Sequence, residues 1–389
     1  MTREPTILLD LTRSVRRLSI ARASGIDRVE RAYLDWVLQR DSRFLIEIAG
    51  THYLLGRDGG RALRALIDAG SHPFDRTARL RPDRDRRVRM GESLVRDMAI
   101  ASGRPDALIA DAQVYLNVGH TNLNSGTMAA LAPVLRVVML HDLIPLEYPE
   151  FARANGPKLM RDRLVAAAGA DHLLTNSEDT RGRVRRVASG LNLSIPDLSV
   201  LPLGIDVPVC PERPRGDHFV CLGTIEPRKN HALLLEIWRE DWPDLHIIGR
   251  RGWENREVFR RLDAEPPNIR EEAGLGDDEL WERLSTARAL LFPSHVEGYG
   301  LPLAEALTLG TPVIASDLPA LREVGGDVPD YLYPEDGPGW TRLIEEYVKD
   351  GLAPAAQITR MANWRPPAWE NHFAKLETLL EDLLPQRAE

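Results

Sequence analysis

Cysteine is nearly absent from this sequence of 389 residues, which contains two, Cys210 and Cys221. Two cysteines at this spacing provide neither a disulfide framework nor the ligand pattern of a zinc site, so the composition favours a reducing cytosol. No apolar run approaches the roughly 20 residues that a membrane-spanning helix needs. The segment Met1–Asp10 lacks the long apolar stretch and the small-residue cleavage site of a signal peptide. We therefore expect neither a secretion signal nor a spanning helix.

Extremes of composition are missing as well. Hydrophobic residues make up 43% and charged residues 28% of the chain, which is close to the average of globular proteins and excludes disordered, collagen-like and coiled-coil chains. A chain of 389 residues exceeds what one hydrophobic core usually organises. The sequence therefore predicts two domains.

Charge is distributed unevenly along a chain whose formal net charge is −8. Residues 1–205 carry 30 Lys and Arg against 24 Asp and Glu, whereas the remainder carries 20 against 34. Nine arginines lie in the segment Arg76–Arg104. This arginine-rich segment is either a solvated surface or a patch that contacts anionic lipid, where each basic residue contributes about 1 kcal/mol. Because it has no interleaved aromatic residues and the whole chain is acidic, we expect no nucleic-acid binding.

Short β-branched runs alternate with longer helical patterns in the first half of the chain. The predicted buried strands are Thr6–Leu11, Phe44–Ile48, Val114–Val118, Leu135–Leu140 and His172–Thr175. Helices are predicted at Asp27–Leu38 and Lys158–Ala168, and Asp27 with Glu30 forms an expected capping box for the first. Strands that alternate with helices predict a parallel sheet with right-handed crossovers.

A proline-rich interval then interrupts the series and predicts a hinge near residues 204–216. The second series has expected strands and helices at Phe219–Gly223, Ala232–Trp238, Leu245–Ile248, Asp278–Ala287, Ala289–Phe292, Leu303–Leu309 and Pro312–Ala315. A last helix, from about Pro367 to Leu384, presents an apolar face and is expected to pack back on the body of the protein. We therefore predict an N-terminal lobe over residues 1–205, a C-terminal lobe over 206–365 and a closing helix over 366–389.

The strongest local motif is the stretch Phe292–Leu307, with the sequence FPSHVEGYGLPLAEAL. A buried strand ends at Phe292, and a helix begins near Pro302, a residue that suits a first helical turn. Gly298 and Gly300 allow the backbone between them to approach a ligand closely. Free N–H groups at a helix start attract anions, so this loop is a candidate phosphate site, although an ordinary turn has the same local pattern.

Two glutamates flank this loop. Glu297 lies in the loop and Glu305 about one turn into the helix, with seven residues between them. Their carboxylates are suitable acceptors for ribose or sugar hydroxyls, whereas in isolation two such glutamates are more often solvated.

A second motif is Gly223–Asn230, with the sequence GTIEPRKN, which also follows a predicted strand. Arg228 and Lys229 are suited to a diphosphate, the arginine through paired hydrogen bonds and the lysine as a point charge. As a lone pair of cations they are more often solvated. In open α/β sheets, however, ligands bind beyond the carboxyl ends of the strands, and both motifs lie at such ends within one lobe.

Together these motifs resemble family 4 of the retaining glycosyltransferases, which have the GT-B fold of two Rossmann-like lobes facing a central cleft. The similarity continues through Thr311–Ser316 and the helix that contains Trp369, so it covers nearly all of the second lobe and, more loosely, the first. In the first lobe, His141 and Asp142 match the family's His-Asp at a strand end, although such a pair is otherwise an ordinary turn. Gly25 replaces the family's glycine pair and marks a candidate acceptor loop.

The resemblance implies a role for each site residue. Arg228 and Lys229 would hold the donor's phosphates, Glu305 its ribose, and Glu297 the transferred sugar. His141 would orient the donor sugar and the acceptor. Thr224 departs from the family, because many relatives have a further arginine there, and Arg228 is expected to substitute for it. Further contacts with the pyrophosphate or the sugar would come from the loop residues Gly298, Tyr299, Gly300 and Leu301.

The activity that the resemblance implies is a retaining, metal-independent hexosyltransferase of polysaccharide biosynthesis. Its donor would be a GDP- or UDP-linked sugar, with GDP-mannose the leading candidate, and its acceptor a hydroxyl of a glycan or lipid-linked glycan. No other cofactor is expected. The expected location is the cytoplasm, peripheral to the inner face of the membrane through Arg76–Arg104. Alternatives are a sugar-nucleotide epimerase or carbohydrate phosphorylase of the same fold, or an inactive nucleotide-sugar-binding protein.

Overall fold

Two open β-sheets organise the chain. The computed structural model describes residues 5–20, 23–69, 83–109, 111–208 and 214–386. The first sheet has eight strands and the second has six, and no strand is shared between them. The predicted α/β class with parallel sheets is confirmed.

The first sheet has strand order β4-β3-β2-β1-β5-β6-β7-β8. Its strands are β1 (Ile7–Asp10), β2 (Ser42–Ile48), β3 (Thr51–Leu55), β4 (Ala99–Gly103), β5 (Val114–Asn117), β6 (Leu135–Leu140), β7 (His172–Thr175) and β8 (Leu198–Val200). Strands β1, β2 and β5 to β8 pair in parallel, and β3 pairs antiparallel with both β2 and β4. All five strands predicted for this half of the chain are present.

The antiparallel edge formed by β3 and β4 escaped the sequence analysis. A two-residue turn joins β2 to β3, with Ile48 paired to Thr51. Both turn residues have positive φ, 50° at Ala49 and 85° at Gly50, as tight hairpin turns with the twist of the sheet require. Alanine is an unusual residue for such a turn, so the sequence has no clear hairpin signal here.

The helices of the first half surround this sheet. They are α1 (Thr12–Arg16), α2 (Gly25–Val37), α3 (Arg57–Asp68), α4 (Asp83–Met98), α5 (Ser125–Ala130), α6 (Ile144–Glu147), α7 (Gly156–Ala167) and α8 (Glu178–Gly190). The capping box expected from Asp27 and Glu30 is wrong. Helix α2 begins one turn earlier, with Ser24 as its N-cap and Asp27 as the residue that reaches back to the Ser24 backbone N–H at 2.7 Å. Glu30 is buried instead.

The second sheet is parallel throughout, with strand order β11-β10-β9-β12-β13-β14. Its strands are β9 (His218–Leu222), β10 (Asp244–Ile248), β11 (Ile269–Glu272), β12 (Leu290–Phe292), β13 (Val313–Ser316) and β14 (Asp330–Leu332). The helices are α9 (His231–Ile237), α10 (Arg256–Asp263), α11 (Asp277–Ser285), α12 (Leu301–Thr308), α13 (Pro319–Gly325), α14 (Gly337–Val348), α15 (Leu352–Met361) and α16 (Trp369–Gln386). The four strands and three helices predicted here are present within two residues at their ends.

One hydrophobic cluster extends through both halves of the molecule. It includes Leu9 of β1, Val220 of β9, Leu303 of α12 and Leu376 of α16. A fully buried side chain of this size contributes about 1.5–3 kcal/mol relative to an exposed one. The relative position of the two sheets is therefore fixed by apolar packing as well as by the polar contacts described below.

Helix α16 connects the end of the chain to the first half. The Phe373 ring stacks on Trp36 of α2 with 5.0 Å between ring centroids, and the Tyr33 hydroxyl lies 2.8 Å from His372 Nε2. Gly204 has no room for a side chain, because a Cβ there would lie 2.3 Å from Trp369. Helix α16 thus packs on α2, the helix whose first residues face the cleft.

Two sequence features fall partly outside the described residues. Of the two cysteines, Cys210 lies outside the described residues, whereas Cys221 is buried in β9. The arginine-rich segment is the other: its residues 76–82 lie outside the described ranges, and α4 contains its arginines from Arg84 to Arg96. Within the described ranges, no helix combines the length and apolar character that crossing a membrane requires.

Candidate active site

A cavity of about 430 Å³ opens between the two sheets. Its walls are formed beyond the carboxyl ends of β6 in the first sheet and of β9, β10 and β12 in the second, which is where open α/β sheets bind ligands. All ten site residues proposed from the sequence line this one cavity: Thr224, Arg228, Lys229, His141, Glu297, Gly298, Tyr299, Gly300, Leu301 and Glu305. The structure therefore brings them together, while their individual roles stay predictions.

The loop after β9 directs two cations into the cavity. Gly223 has a φ of +148° and packs so tightly against Gly249 that a Cβ at Gly249 would lie 1.8 Å from the Gly223 carbonyl oxygen. A single 3₁₀ turn, Pro227–Lys229, then ends at Asn230, which has left-handed backbone geometry with φ 54°. This sharp turn places Arg228 and Lys229 side by side at the mouth of the sheet.

Glu297 joins these two cations in one buried cluster. Its Oε1 accepts a hydrogen bond from Lys229 Nζ at 2.6 Å, and its Oε2 accepts one from Arg228 Nη1 at 2.9 Å. On its other side the Arg228 guanidinium is paired with Glu226, which is 3% exposed. Two cations and two carboxylates therefore balance in a site from which water is largely excluded, as a buried ionic cluster requires.

The electrostatics of the cluster keep Glu297 ionised. Burial by itself would raise the pKa of Glu297, but the charges of Arg228 and Lys229 outweigh it and lower this pKa to about 2. Burial likewise opposes the charge of Arg228, and the carboxylates of Glu297 and Glu226 raise its pKa nonetheless. Glu297 and Arg228 are therefore charged at neutral pH, whereas burial lowers the pKa of Lys229.

The glycine loop between Glu297 and α12 lies against the opposite wall of the cleft. A Cβ at Gly298 would lie 2.6 Å from the carbonyl oxygen of His141. The Gly298 carbonyl accepts hydrogen bonds from Ser177 Oγ at 3.0 Å and Thr180 Oγ1 at 3.1 Å. Gly300, with φ +106°, then starts α12. Glycine is needed at position 298 for this close approach and at position 300 for its backbone conformation.

Tyr299 has a structural use that the sequence did not suggest. Its hydroxyl donates a hydrogen bond to the Leu203 carbonyl at 2.8 Å, and the residue is 6% exposed. The ring lines the cavity, but the hydroxyl is already engaged with the interval that connects the two sheets. Any contact with a ligand is therefore left to the ring or the backbone.

Glu305 is paired across the cleft with Arg28, a residue that the sequence analysis missed. Glu305 is 2% exposed, and its Oε1 accepts from Arg28 Nη1. Arg28 also lies over the Trp281 ring, 5.6 Å from its centroid. Gly25, at the start of the same helix, meets Leu301 so closely that a Cβ would lie 3.0 Å from Leu301 Cδ1. In the sequence, the predicted feature closest to Arg28 was the candidate acceptor loop at Gly25.

His141 is a neutral hydrogen-bonding group. Its Nε2 lies 2.7 Å from the carbonyl oxygen of Val118, and because a carbonyl can only accept, Nε2 carries the proton and Nδ1 is left as an acceptor. Burial lowers the pKa of His141 to about 4. At pH 7 the ring can therefore accept a hydrogen bond from a hydroxyl group.

Further polar contacts join the two walls at the start of α8. Ser177 is the N-cap of this helix and accepts a hydrogen bond from the Thr180 backbone N–H. The Glu323 carboxylate of the second wall accepts hydrogen bonds from the backbone N–H groups of Glu178 and Asp179, both at 2.7 Å. An anion at a helix start is favourable, so these contacts stabilise the closed arrangement.

No metal centre is formed in the part of the chain that the structure describes: no group of three or more His, Cys, Asp or Glu side chains is arranged to hold an ion. Metal independence stays a prediction.

Comparison with known proteins agrees with this architecture. HepE of Anabaena, solved with UDP-glucose, superposes with a TM-score of 0.63 at 14% identity over 97% of this chain and all of the other. Sucrose-phosphate synthase of Thermosynechococcus elongatus superposes with a TM-score of 0.61 at 14% identity over 98% of this chain and all of the other. At this identity the likeness concerns the fold, and the protein has the GT-B fold that its sequence predicted.

The sequence comparisons are more specific for the second half. Residues 211–350 match the family model described as Glycosyl transferases group 1. The serotype-specific mannosyltransferase WbdA of Escherichia coli is 31% identical over 163 residues, which cover 39% of this chain and 20% of WbdA. The O-antigen chain mannosyltransferase RfbU of Salmonella typhimurium is 25% identical over 255 residues, 62% of this chain and 69% of RfbU. The chain thus spans about a fifth of the length of the first relative.

The fold and the cleft define a protein of the GT-B class. The part of the chain that contains the second sheet, with the Arg228–Lys229–Glu297 cluster, matches the Glycosyl transferases group 1 family. The resemblance to glycosyltransferases inferred from the sequence is confirmed.

Proposed function

We propose that the protein is a retaining hexosyltransferase that transfers mannose from GDP-mannose to a hydroxyl of a glycan or lipid-linked glycan in polysaccharide biosynthesis. The observation that carries the proposal is the buried cluster of Arg228, Lys229 and Glu297 at the glycine loop, inside a cavity between the lobes. The mannosyltransferase names of WbdA and RfbU support the choice of sugar.

The cations at the cavity floor are suited to stabilise a leaving diphosphate. Arg228 supplies a planar fork and Lys229 a point charge, and the glycine loop adds N–H groups at the start of α12. Negative charge that develops on the leaving oxygen would meet these preorganised groups in a site with little water, where such contacts are strongest. This arrangement supplies the charge neutralisation without a divalent ion, so activity should survive EDTA.

The carboxylates have separate roles in this proposal. Glu297 has both oxygens engaged by cations, so it acts by its charge beside the transferred sugar and does not attack it. Glu305, paired with Arg28, binds the donor's ribose. His141 Nδ1 accepts from a sugar hydroxyl and orients it. With no carboxylate assigned as nucleophile, the leaving phosphate takes the acceptor proton on the same face of the sugar, which retains the anomeric configuration.

Membrane contact is a separate part of the proposal. Helix α4 and the strand that follows it expose Met90, Met98 and Ile100, and the exposed Arg86 and Arg89 lie on the same helix. Apolar side chains beside cations are suited to the surface of an anionic bilayer. We place the enzyme in the cytoplasm, at the inner face of the membrane.

The direct test is titration calorimetry with GDP-mannose, GDP, UDP-glucose and dTDP-sugars, followed by product analysis with glycan acceptors. GDP-mannose should bind best, and an α-mannoside with the donor's configuration should form together with GDP. Free epimer, or sugar phosphate formed from inorganic phosphate, would identify an epimerase or a phosphorylase instead. Donor binding without any turnover would leave an inactive binding protein, and absence of donor binding would contradict the proposal.

A further inference from the structure

A second cavity, of about 540 Å³, opens in the first lobe. It lies beyond the carboxyl end of β5 and is bounded by the loop that follows this strand, by α5 and by one face of α7. Its basic lining residues are Arg16, His52, Arg104, His120 and Arg163. None of the motifs found in the sequence accounts for this cavity.

One of its three arginines lacks an acidic partner among the described residues. Arg16 is paired with Glu47, and Arg104 with Asp106 at 3.2 Å. Arg163, half-buried on α7, makes no hydrogen bond or ion pair with any described residue. Burial and the nearby charge of Arg13 lower its pKa. A half-buried guanidinium without a counter-ion is stabilised when an anion binds to it.

The loop beside Arg163 is held in a constrained shape. His120 and Asn122 both have left-handed backbone geometry, with φ 58° and 60°. The His120 backbone N–H donates to Asn117 Oδ1 at 3.1 Å, and Asn122 Nδ2 donates to Asp10 Oδ2 at 2.8 Å. Non-glycine residues adopt this conformation rarely, and such residues are concentrated at functional sites.

This second cavity adjoins the active-site cavity through a pair of histidines. The ring centroid of His120, which lines the second cavity, lies 5.0 Å from that of His141, which lines the first. Arg163 also lies near Asp142, a residue of the active-site wall. The Asp142 carboxylate raises the pKa of Arg163, whereas burial, the larger effect, lowers it. Arg228 and Lys229, the cations proposed to bind the donor, lie on the opposite wall. The wall that contains Arg163 is therefore available to the acceptor.

We propose that the second cavity binds an anionic group of the acceptor, a phosphate or a carboxylate, with Arg163 as its main ligand. The proposal rests on the proposed glycosyltransferase function, because it assigns the charged group to the acceptor. Leu159, half exposed one turn before Arg163 at the cavity mouth, gives the remainder of such a molecule an apolar contact. The acceptor class is thus an acidic or phosphorylated glycan rather than a neutral one.

The test separates this site from the donor site. Inorganic phosphate binding is measured by ³¹P NMR on full-length protein in which Arg228 and Lys229 are both replaced by Gln, so that the donor cations cannot contribute. Adding Arg163→Gln should weaken the remaining binding at least tenfold. Adding Arg161→Gln, on the same helix but exposed and outside the cavity, should leave it unchanged. Thermal midpoints equal to that of the parent show that each variant is folded.

Two outcomes would overturn the proposal: no phosphate binding in the Arg228→Gln, Lys229→Gln background, or equal binding after Arg163→Gln. Competition then distinguishes the sources of charge. Glucuronate that displaces phosphate indicates a carboxylate, and displacement by glycerol 3-phosphate alone indicates a phosphate ester. Glucose that displaces phosphate equally well would show that charge is not recognised and would also overturn the proposal. Failure of GDP-mannose to bind the wild-type protein would contradict the proposed function while leaving the phosphate result intact.

Discussion

The two walls of the cleft are built differently. On the second wall, Arg228, Lys229, Glu297 and Glu305 come from two short stretches that each follow one strand. On the first wall, Arg28 comes from α2 and His141 from the end of β6, and other contacts come from the start of α8. The second wall is therefore a pair of local motifs, whereas the first is assembled from elements distant in the chain.

The two walls are suited to different kinds of recognition. In the proposed function, two strand-end loops, each fixed by its own glycines, would present cations and N–H groups to a diphosphate. Recognition of the acceptor would depend on the first wall, whose side chains are brought together by the whole first sheet. Changes to Arg228, Lys229 and Glu297 on the second wall should therefore lower turnover strongly. Changes to Glu305 and to the first wall should mainly shift affinities and stability.

The largest effect is expected from replacing Arg228 and Lys229 together by Gln. A hydrogen bond to a charged group contributes about 1.5–3 kcal/mol, so the pair should lower kcat/KM by roughly a thousandfold or more. Gln is preferred to Ala because it leaves Glu297 and Glu226 with hydrogen-bond donors. The matched control replaces by Gln two exposed cations outside the cavity, Arg342 of α14 and Lys349 directly after this helix. Donor affinity and rate that both survive would disprove the phosphate assignment.

Glu297→Gln should mainly lower kcat. It keeps the size of the side chain but removes the charge beside the transferred sugar, and loss of one such electrostatic contact typically costs about 100-fold or more. The donor KM should stay the same or fall, because Arg228 and Lys229 lose a competitor for the diphosphate. Steady-state kinetics with continuous detection of GDP release measures both constants. An unchanged kcat would contradict the role given to Glu297.

Glu305→Gln should raise the donor KM about tenfold or more and lower kcat less, the pattern of lost uniform binding. Arg28→Gln, on the opposite wall, should give a smaller rise in KM, since it acts through Glu305. Arg31→Gln, on the same helix and paired with Asp68, is the control. A loss of kcat in Glu305→Gln larger than that in Glu297→Gln would mean that the two glutamates have exchanged roles.

Glu30→Gln tests the support of the first wall. Burial raises the pKa of Glu30 from 4.5 to about 8, so between these values the folded protein holds a proton that the unfolded chain has released. Stability should therefore fall as pH rises, by up to about 1.4 kcal/mol per pH unit.

The Gln variant should lack this slope. Urea unfolding between pH 6.5 and 8 measures this slope of stability against pH. His141, whose pKa is lowered to about 4, has an opposite effect on stability, but that effect is confined to pH values below 6.5. The exposed Glu370→Gln is the control. Equal slopes in wild type and Glu30→Gln would show that Glu30 is ionised in the fold.

The smallest effect concerns the outer surface of the first lobe. Binding to anionic vesicles should weaken as salt rises, because such attraction acts within about 8 Å at 0.15 M salt. Replacing the exposed Arg86 and Arg89 by Gln should weaken binding about fivefold for each arginine, at about 1 kcal/mol per cation. Replacing Arg342 and Lys349 should not. Equal sedimentation with neutral vesicles would contradict the membrane contact.

The sequence could predict the second wall because its signals are local. Glycines, a helix-initiating proline and charged residues follow single strands there, and the ends of parallel strands meet at one edge of a sheet. The first wall offered fewer such signals. Nothing in the local sequence distinguishes Arg28 from other helix arginines, because its pairing with Glu305 depends on the packing of α2 against α12. The predicted capping box of α2 lies one turn too late, because Ser24 lies in a stretch without a clear helical pattern.

Local sequence patterns are enough to predict two α/β lobes, the strand-end positions of the charged residues and the glycines that shape their loops. These follow from periodicity and backbone sterics, which act over a few residues. Only the tertiary structure decided that Glu297 lies between two cations, that Arg28 reaches Glu305, and that Arg163 has no acidic partner among the described residues. Charge pairing depends on distance in space, and residues far apart in the chain, such as Arg28 and Glu305 with a separation of 277 positions, meet only when both sheets are packed.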